Sequence, residues 1–255
     1  MRISFITHCY YKLIPFIGGN QGVGFETAKN LLASSASYHV IIGSRDVKRG
    51  EDAVAALKSG SILGSVSTVQ IDVANDESVD AAADQISKAF GRLDILINNA
   101  GVLSMNPVKR EEFREVLAVN IVGVVSVTEA FLSLLRKSSS PRLIFVSSST
   151  GSLAHATDPD SRLFNPTRGV AYRSSKTALS MILLHYHGLL SPDGFKVISA
   201  DPGLIATNLT GDRESLIQRG AAEGHVGGER IATVVRGDRD SDAGRVHGEY
   251  GIMPW

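Results

Sequence analysis

Short Val/Ile-rich runs alternate with longer amphipathic stretches along most of the chain, and this pattern leaves few architectures open. The runs are Tyr38–Gly43 (YHVIIG), Thr68–Val73 (TVQIDV), Leu93–Ile97 (LDILI), Arg142–Val146 (RLIFV) and Phe195–Ala200 (FKVISA). Nearly continuous apolar runs of this length read as strands buried on both faces. Helical patterns lie between them, at about 23–34, 49–59, 77–90, 111–136 and 171–190. Strand–helix alternation predicts a doubly wound α/β domain of the Rossmann type, with a central parallel sheet of about seven strands and helices on both faces. In such sheets ligands bind beyond the carboxyl ends of the strands, so the residues just after each run carry the information.

The 255 residues suit one domain spanning 1–255, with no repeat or linker to divide them. Three segments stand out: an atypical stretch at 1–16, an insertion at 152–170 and a loop region at 207–225 expected to meet substrate. The acidic and basic residues balance, 26 against 26, which argues against nucleic acid or an anionic membrane surface as the main partner. A single cysteine, Cys9, excludes a disulfide framework and a Cys-rich metal site. His185 and His187 fall on different helix faces, so no metal is expected. No unbroken run of 18 apolar residues is present and the N-terminus lacks a signal-peptide core, so a cytoplasmic protein is the expectation. The charged stretch 237–244 (GDRDSDAG) reads as a solvated loop.

Several clusters could carry chemistry, each with an ordinary competitor. Gly18, Gly22 and Gly24 in GGNQGVG open a helix. Such glycines let the backbone, from Asn20 through Gln21 to Val23, approach a pyrophosphate at a helix N-terminus; the competitor is a plain Gly-rich turn. Ser44 and Arg45 follow the YHVIIG run; an Arg there favours the 2′-phosphate of NADP over the free ribose of NAD, against a simple surface charge. Asp46 reads as the cap of the next helix. Asn98-Asn99-Ala100-Gly101 is a turn beside the cleft or only a turn. Tyr172 and Lys176 stand at i and i+4 on one helix face, where an ammonium can lower the phenol's pKa, or they are a surface pair. Ser147, Ser148 and Ser149 follow another strand and supply a hydroxyl for a substrate oxygen, or caps. Asn120, inside an apolar helix, needs hydrogen-bond partners.

Together, and in this order, these residues resemble the short-chain dehydrogenase/reductases over about 17–255, most of all their carbonyl reductase-like, NADPH-preferring branch. The motifs are GGNQGVG, DV at 72–73, NNAG, VN at 119–120, SSSTG, YRSSK and PG at 202–203. The stretch GGNQGVGFETAKNL is similar to fungal members, several of which serve secondary metabolism. The resemblance implies an NADP(H)-dependent oxidoreductase interconverting a ketone or aldehyde and an alcohol, NAD(H) being the lesser cofactor. It implies Tyr172 as general acid/base, Lys176 holding the nicotinamide ribose and depressing Tyr172, Ser148 polarising the carbonyl, and Asn120 supporting a proton-relay water. Asp72 and Val73 would flank the adenine, and Asn98, Ala100 and Gly101 would line the cleft. Pro202, Gly203, Ile205 and Thr207 would approach the carboxamide. A small-molecule carbonyl or alcohol is the implied partner, and a homodimer or homotetramer the implied assembly.

Two departures from the family pattern matter. Ser148 and Tyr172 are 24 residues apart, double the usual interval, which points to a loop or lid at 155–169. Pro15 lies in what would be a central first strand, where it removes a ladder donor. Either that strand tolerates a kink, or the N-terminus is not the one the fold evolved with. The rival functions are a non-catalytic dinucleotide sensor and an inactive paralogue with a damaged first strand.

Overall fold

The computed structural model describes residues 11–165 and 167–255. Cys9, Pro166 and most of the atypical N-terminal stretch lie outside the described residues. Eight strands form one sheet in the order β3-β2-β1-β4-β5-β6-β7-β8. These are β1 (Lys12–Ile17), β2 (Tyr38–Ser44), β3 (Ser65–Gln70), β4 (Ile95–Asn98), β5 (Arg142–Val146), β6 (Lys196–Ala200), β7 (Val246–Gly248) and β8 (Gly251–Ile252). All neighbours are parallel except the short β7–β8 pair, which adds the eighth strand to the expected seven. The third strand starts three residues earlier than its apolar run suggests, so Asp72 and Val73 lie beyond its end, not within it.

Side chains alternate along the strands between two core layers. Leu13, Ile17 and Ile41 face one layer, together with α3 (Asp76–Phe90), α5 (Gly123–Leu135) and α7 (Val170–Leu190). Ile14, Phe16, Val40 and Ile42 face the other, against α1 (Gly22–Ser34), α2 (Val47–Lys58) and α9 (Gly224–Arg236). α4 (Lys109–Leu117) runs through a π-turn at Ala118–Val122 directly into α5. This 27-residue helix is long and apolar enough to cross a membrane, but Val116, Val124, Val127 and Phe131 are buried in the protein's own core. The remaining short helices are α6 (Leu153–Thr157), inside the insertion, and α8 (Arg213–Gln218), inside the loop after β6.

Pro15 does not break β1. The backbone N–H groups of Lys12 and Gly18 donate to β2-side carbonyls, Ser37 and Gly43, so even-numbered donors face β2. Pro15 is odd-numbered and faces β4. The β1–β4 ladder begins only at Phe16, and the neighbouring odd donor, Leu13, is satisfied by the Asp94 carboxylate at 2.9 Å. The missing donor therefore shortens the β1–β4 ladder by a rung and leaves the β1–β2 ladder whole. β1 keeps six paired residues with β2, Pro15 opposite Ile41.

One expectation is corrected at 237–244. The segment is not merely solvated: Asp240 binds the guanidinium of Arg142, a buried residue of β5, which also donates to the Val234 carbonyl at 2.8 Å. Asp242 holds His247 Nδ1 at 2.7 Å. A buried Arg at a strand start requires such partners, and the acidic loop supplies them.

Candidate active site

The order reversal between β1 and β4 opens a crevice at their carboxyl ends. Gly18 sits there at φ +79°, and a Cβ on it would lie 2.8 Å from Ala100 Cα. A Cβ on Gly24 would lie 2.6 Å from Asn99 Nδ2. Only glycine fits either place. Asn20 and Gln21 form the turn, and α1 then starts from Gln21 with no side-chain cap and no acid in its first turn. Its first N–H groups are left for a ligand, with the positive end of the helix dipole behind them. Gly22 lies beside Thr207 from the loop after β6, and Val23 lines the cleft. Asn99 was not among the expected site residues; its Nδ2 donates to the Gly18 carbonyl at 2.8 Å and holds the turn. The doubled Asn in NNAG was its only signal.

At the end of β2, Ser44 is buried and donates to the Asp46 carbonyl at 2.8 Å. Asp46 accepts the Arg49 N–H at 2.8 Å, the expected helix cap. This commits the only acid at the strand end and leaves the Arg45 side chain exposed, in no ion pair among the described residues. Asp72 accepts the Ala74 N–H, and Val73 packs so tightly on Gly123 of α5 that a Cβ there would stand 2.6 Å from its carbonyl. The Asn98 side chain turns into the core, donating to Thr128 Oγ1 at 3.0 Å, so only its backbone is free to face the cleft.

The second group of residues gathers on β5, α7 and the π-turn. Ser148 follows β5 and its hydroxyl pairs with Thr150 Oγ1 at 2.9 Å. Gly151 lets this loop press on α7: a Cβ would lie 2.6 Å from the Lys176 carbonyl carbon. Lys176 is buried; its Nζ donates to the Val146 carbonyl at 2.8 Å and stands 5.5 Å from the centre of the Tyr172 ring. Asn120 is fully buried with every polar atom engaged. Its Oδ1 accepts from Val102 N–H at 2.8 Å, and its Nδ2 donates to the Val102 carbonyl and to Ser175 Oγ, both at 3.0 Å. The π-turn aims this amide at α7, a common use of such bulges. Gly101 lies between Asn120 and Lys176.

Burial pushes the Tyr172 phenol up, the Asp201 carboxylate adds to this, and a hydrogen bond with Ser148 opposes both. The expected lowering of Tyr172 by Lys176 is not the balance of this arrangement. Burial instead pulls Lys176 down to about 8, against the raising effect of Asp201. Desolvation disfavours whichever form is charged, phenolate or ammonium, so the two groups move in opposite directions.

Ser148 and Tyr172 line an open cleft of about 1400 Å³ with Pro202, Gly203, Ile205 and Thr207. Leu163 and Phe164 of the insertion form one wall, and Leu209 and Leu216 of the β6 loop another. The insertion contains α6 and is tied down at its far side. Ala154 N–H donates to the Trp255 carbonyl at 2.8 Å, and the Arg162 guanidinium lies 3.7 Å over the Tyr250 ring. Among the described residues no cluster of three or more His, Cys, Asp or Glu could hold a metal ion.

Known proteins share this fold. The short chain dehydrogenase family model matches residues 12–217. The short-chain dehydrogenase/reductase tropE of Talaromyces stipitatus is 35% identical over 92% of this chain and 94% of its own. Salutaridine reductase of Papaver somniferum superposes with a TM-score of 0.73 at 27% identity, over 88% of this chain and 95% of that one. NADPH-bound carbonyl reductase from chicken fatty liver shares the fold with a TM-score of 0.80 at 23% identity, over 96% and 99%. The chain belongs to the short-chain dehydrogenase/reductase family of oxidoreductases, which act on the carbonyl and alcohol groups of small molecules.

Proposed function

We propose that this protein is an NADP(H)-dependent reductase of bulky ketones or aldehydes. The observation that carries the reading is that Ser148 and Tyr172 line one large cleft, with the buried Lys176 ammonium 5.5 Å behind the Tyr172 ring, beside an uncapped helix N-terminus fronted by glycines. The bare turn fits a dinucleotide: Gly18, Asn20, Gln21, Gly22, Val23 and Gly24 would hold its diphosphate. Asp72 and Val73 would flank the adenine, with Ala100, Gly101 and the Asn98 backbone lining the crevice. Arg45, exposed and without a neighbouring free acid, suits the 2′-phosphate beside Ser44. Pro202, Gly203, Ile205 and Thr207 would border the nicotinamide end.

The bound dinucleotide supplies the hydride. Ser148 Oγ orients the substrate oxygen and polarises its carbonyl. Tyr172 then gives its phenolic proton to that oxygen as negative charge develops there. Lys176 would hold the ribose hydroxyls of the dinucleotide and would face the resulting phenolate with a positive charge. Asn120 fixes Ser175 on α7 and thereby the register of Tyr172 and Lys176. The apolar walls and open mouth suit a polycyclic or aromatic carbonyl compound, as secondary metabolism produces. Assembly as a homodimer or homotetramer would use the outer faces of the π-turn, α5 and α7, where Val122, Val125, Met181 and Leu184 are exposed; light scattering measures it.

The test is loss of nicotinamide absorbance with a panel of aromatic and cyclic carbonyl compounds. Tyr172→Phe is expected to lower turnover by about 10²–10⁴-fold while NADPH binding persists. Undiminished turnover in that variant overturns the assignment.

A further inference from the structure

Asp201 is a buried acid, 3% exposed, that no step above employs. It ends β6, and both its oxygens are engaged. Oδ2 accepts the Ser149 N–H at 2.7 Å and the Ser149 hydroxyl; Oδ1 accepts the Gly203 N–H at 2.8 Å. One carboxylate thus joins the serine loop after β5 to the Pro202–Gly203 turn after β6. The turn is fixed from its other side as well. Arg230 donates to the Pro202 carbonyl at 2.7 Å and pairs with Glu249 at 3.0 Å, and a Cβ on Gly203, at φ +83°, would collide with that guanidinium.

We propose that Asp201 is a positioning residue of the reductase: its buried carboxylate clamps the loop that carries Ser148 to the turn that borders the cofactor, and holds a fixed negative charge against the Tyr172–Lys176 pair. This rests on the reductase reading for its kinetic consequence only. The clamp lies one residue from Ser148, so a slackened clamp moves the hydroxyl relative to Tyr172, where a displacement of about 1 Å costs on the order of a hundredfold. Asp201 lines the same cleft as Tyr172, and its charge raises the proton affinity of that phenol and of the Lys176 ammonium one turn further along α7. The other charged or titratable groups around Asp201 are Arg230 of α9, Glu249 after β7, and His247, whose carbonyl accepts the Asp201 N–H and whose ring is held by Asp242.

Asp201→Asn keeps the shape but removes the charge, and its amide nitrogen cannot accept a hydrogen bond from Ser149 or Gly203. With NADPH and 4-nitrobenzaldehyde as probe, kcat is expected to fall about tenfold or more with KM changed less than about threefold. Ser149→Ala, which weakens the clamp but keeps the charge, is expected to lower kcat by about threefold or more. An activity-independent measurement runs beside these: Tm of the cofactor-free protein against pH. Wild type gains Tm as the buried Lys176 loses its proton, and Lys176→Met abolishes that gain. In Asp201→Asn the gain is expected to begin at lower pH, and in Ser149→Ala at the wild-type pH. Wild-type kcat in both clamp variants overturns the clamp, and an unmoved onset in Asp201→Asn overturns the charge. A wild-type protein inert toward all carbonyl probes sinks the reductase reading, while the Tm series still decides the role of the charge.

Discussion

The two sides of the cleft are built from different materials. The side at β1, β2 and β4 is made of backbone: Gly18 and Gly24 stand where no Cβ fits, and α1 presents bare N–H groups. The side at β5, β6, α7 and the π-turn is made of buried polar side chains: Asn120 and Asp201, each tied to several partners, and Lys176, tied to the Val146 carbonyl. The first side needs close approach to a ligand and little else. The second needs particular atoms at particular distances in a dry setting. That is costly unless every polar group is satisfied. Changes on the first side should weaken cofactor binding, whereas changes on the second should weaken chemistry, or the fold where packing is tight.

Removing the phenol in Tyr172→Phe carries the largest expected effect and should spare binding. Gly18→Ala should do the reverse. It forces a side chain to φ +79° against Ala100, so NADPH affinity should drop by more than about tenfold and stability by about 1–3 kcal/mol. Gly151→Ala is the matching insult on the chemical side: the new methyl meets the α7 backbone at 2.6 Å. Denaturant melts should show about 1–3 kcal/mol lost, and kcat should fall while NADPH titrations change little. Equal losses of NADPH affinity in the two glycine variants would erase the distinction.

Lys176 offers a finer probe through pH. Its folded-state pKa of about 8 lies below the ordinary lysine value of 10.5, so the unfolded chain binds more protons between these limits. Stability therefore rises with pH across that window, and the contribution is lost as pH falls through 8. At about 1.4 kcal/mol per pH unit the full span is about 3 kcal/mol. Tyr172 and Tyr186, both pushed up, oppose the rise above about pH 10, so the maximum should fall near there. A flat Tm between pH 8 and 10 would contradict this. The smallest effect is expected for Arg45→Ala. Its loss should reduce the preference for NADPH over NADH by about tenfold without altering kcat, and an unchanged preference in paired titrations would remove Arg45 from the cofactor site.

Much of this was legible in the chain. The strand runs at 38–43 and 142–146 fall within a residue of the observed β2 and β5, because a strand buried on both faces leaves an unbroken apolar signature. Among three adjacent serines, the family resemblance singled out Ser148. The structure gives each a different setting: the Ser147 hydroxyl is buried with no hydrogen-bond partner, Ser149 is held by Asp201, and Ser148 faces the cleft. Asn120 announced itself by being polar in an apolar helix. Asn99 and Asp201 did not, since each is an ordinary turn residue until a partner some 50 to 80 positions away is brought beside it. The charged run at 237–244 misled for the same reason, its partner Arg142 lying on β5.

Sequence alone therefore determined the doubly wound sheet and the places where glycine is obligatory, because periodicity and Gly-rich turns are local properties, and the family resemblance named the candidate reacting groups. Tertiary structure decided the rest. It turned Pro15 toward β4, away from the β1–β2 ladder, and sent Asn98 into the core. It also buried Lys176 and half-buried Tyr172, so that their proton affinities diverge. Such outcomes depend on which distant groups share a dry volume, and desolvation and hydrogen-bond partnership exist only once the chain has folded.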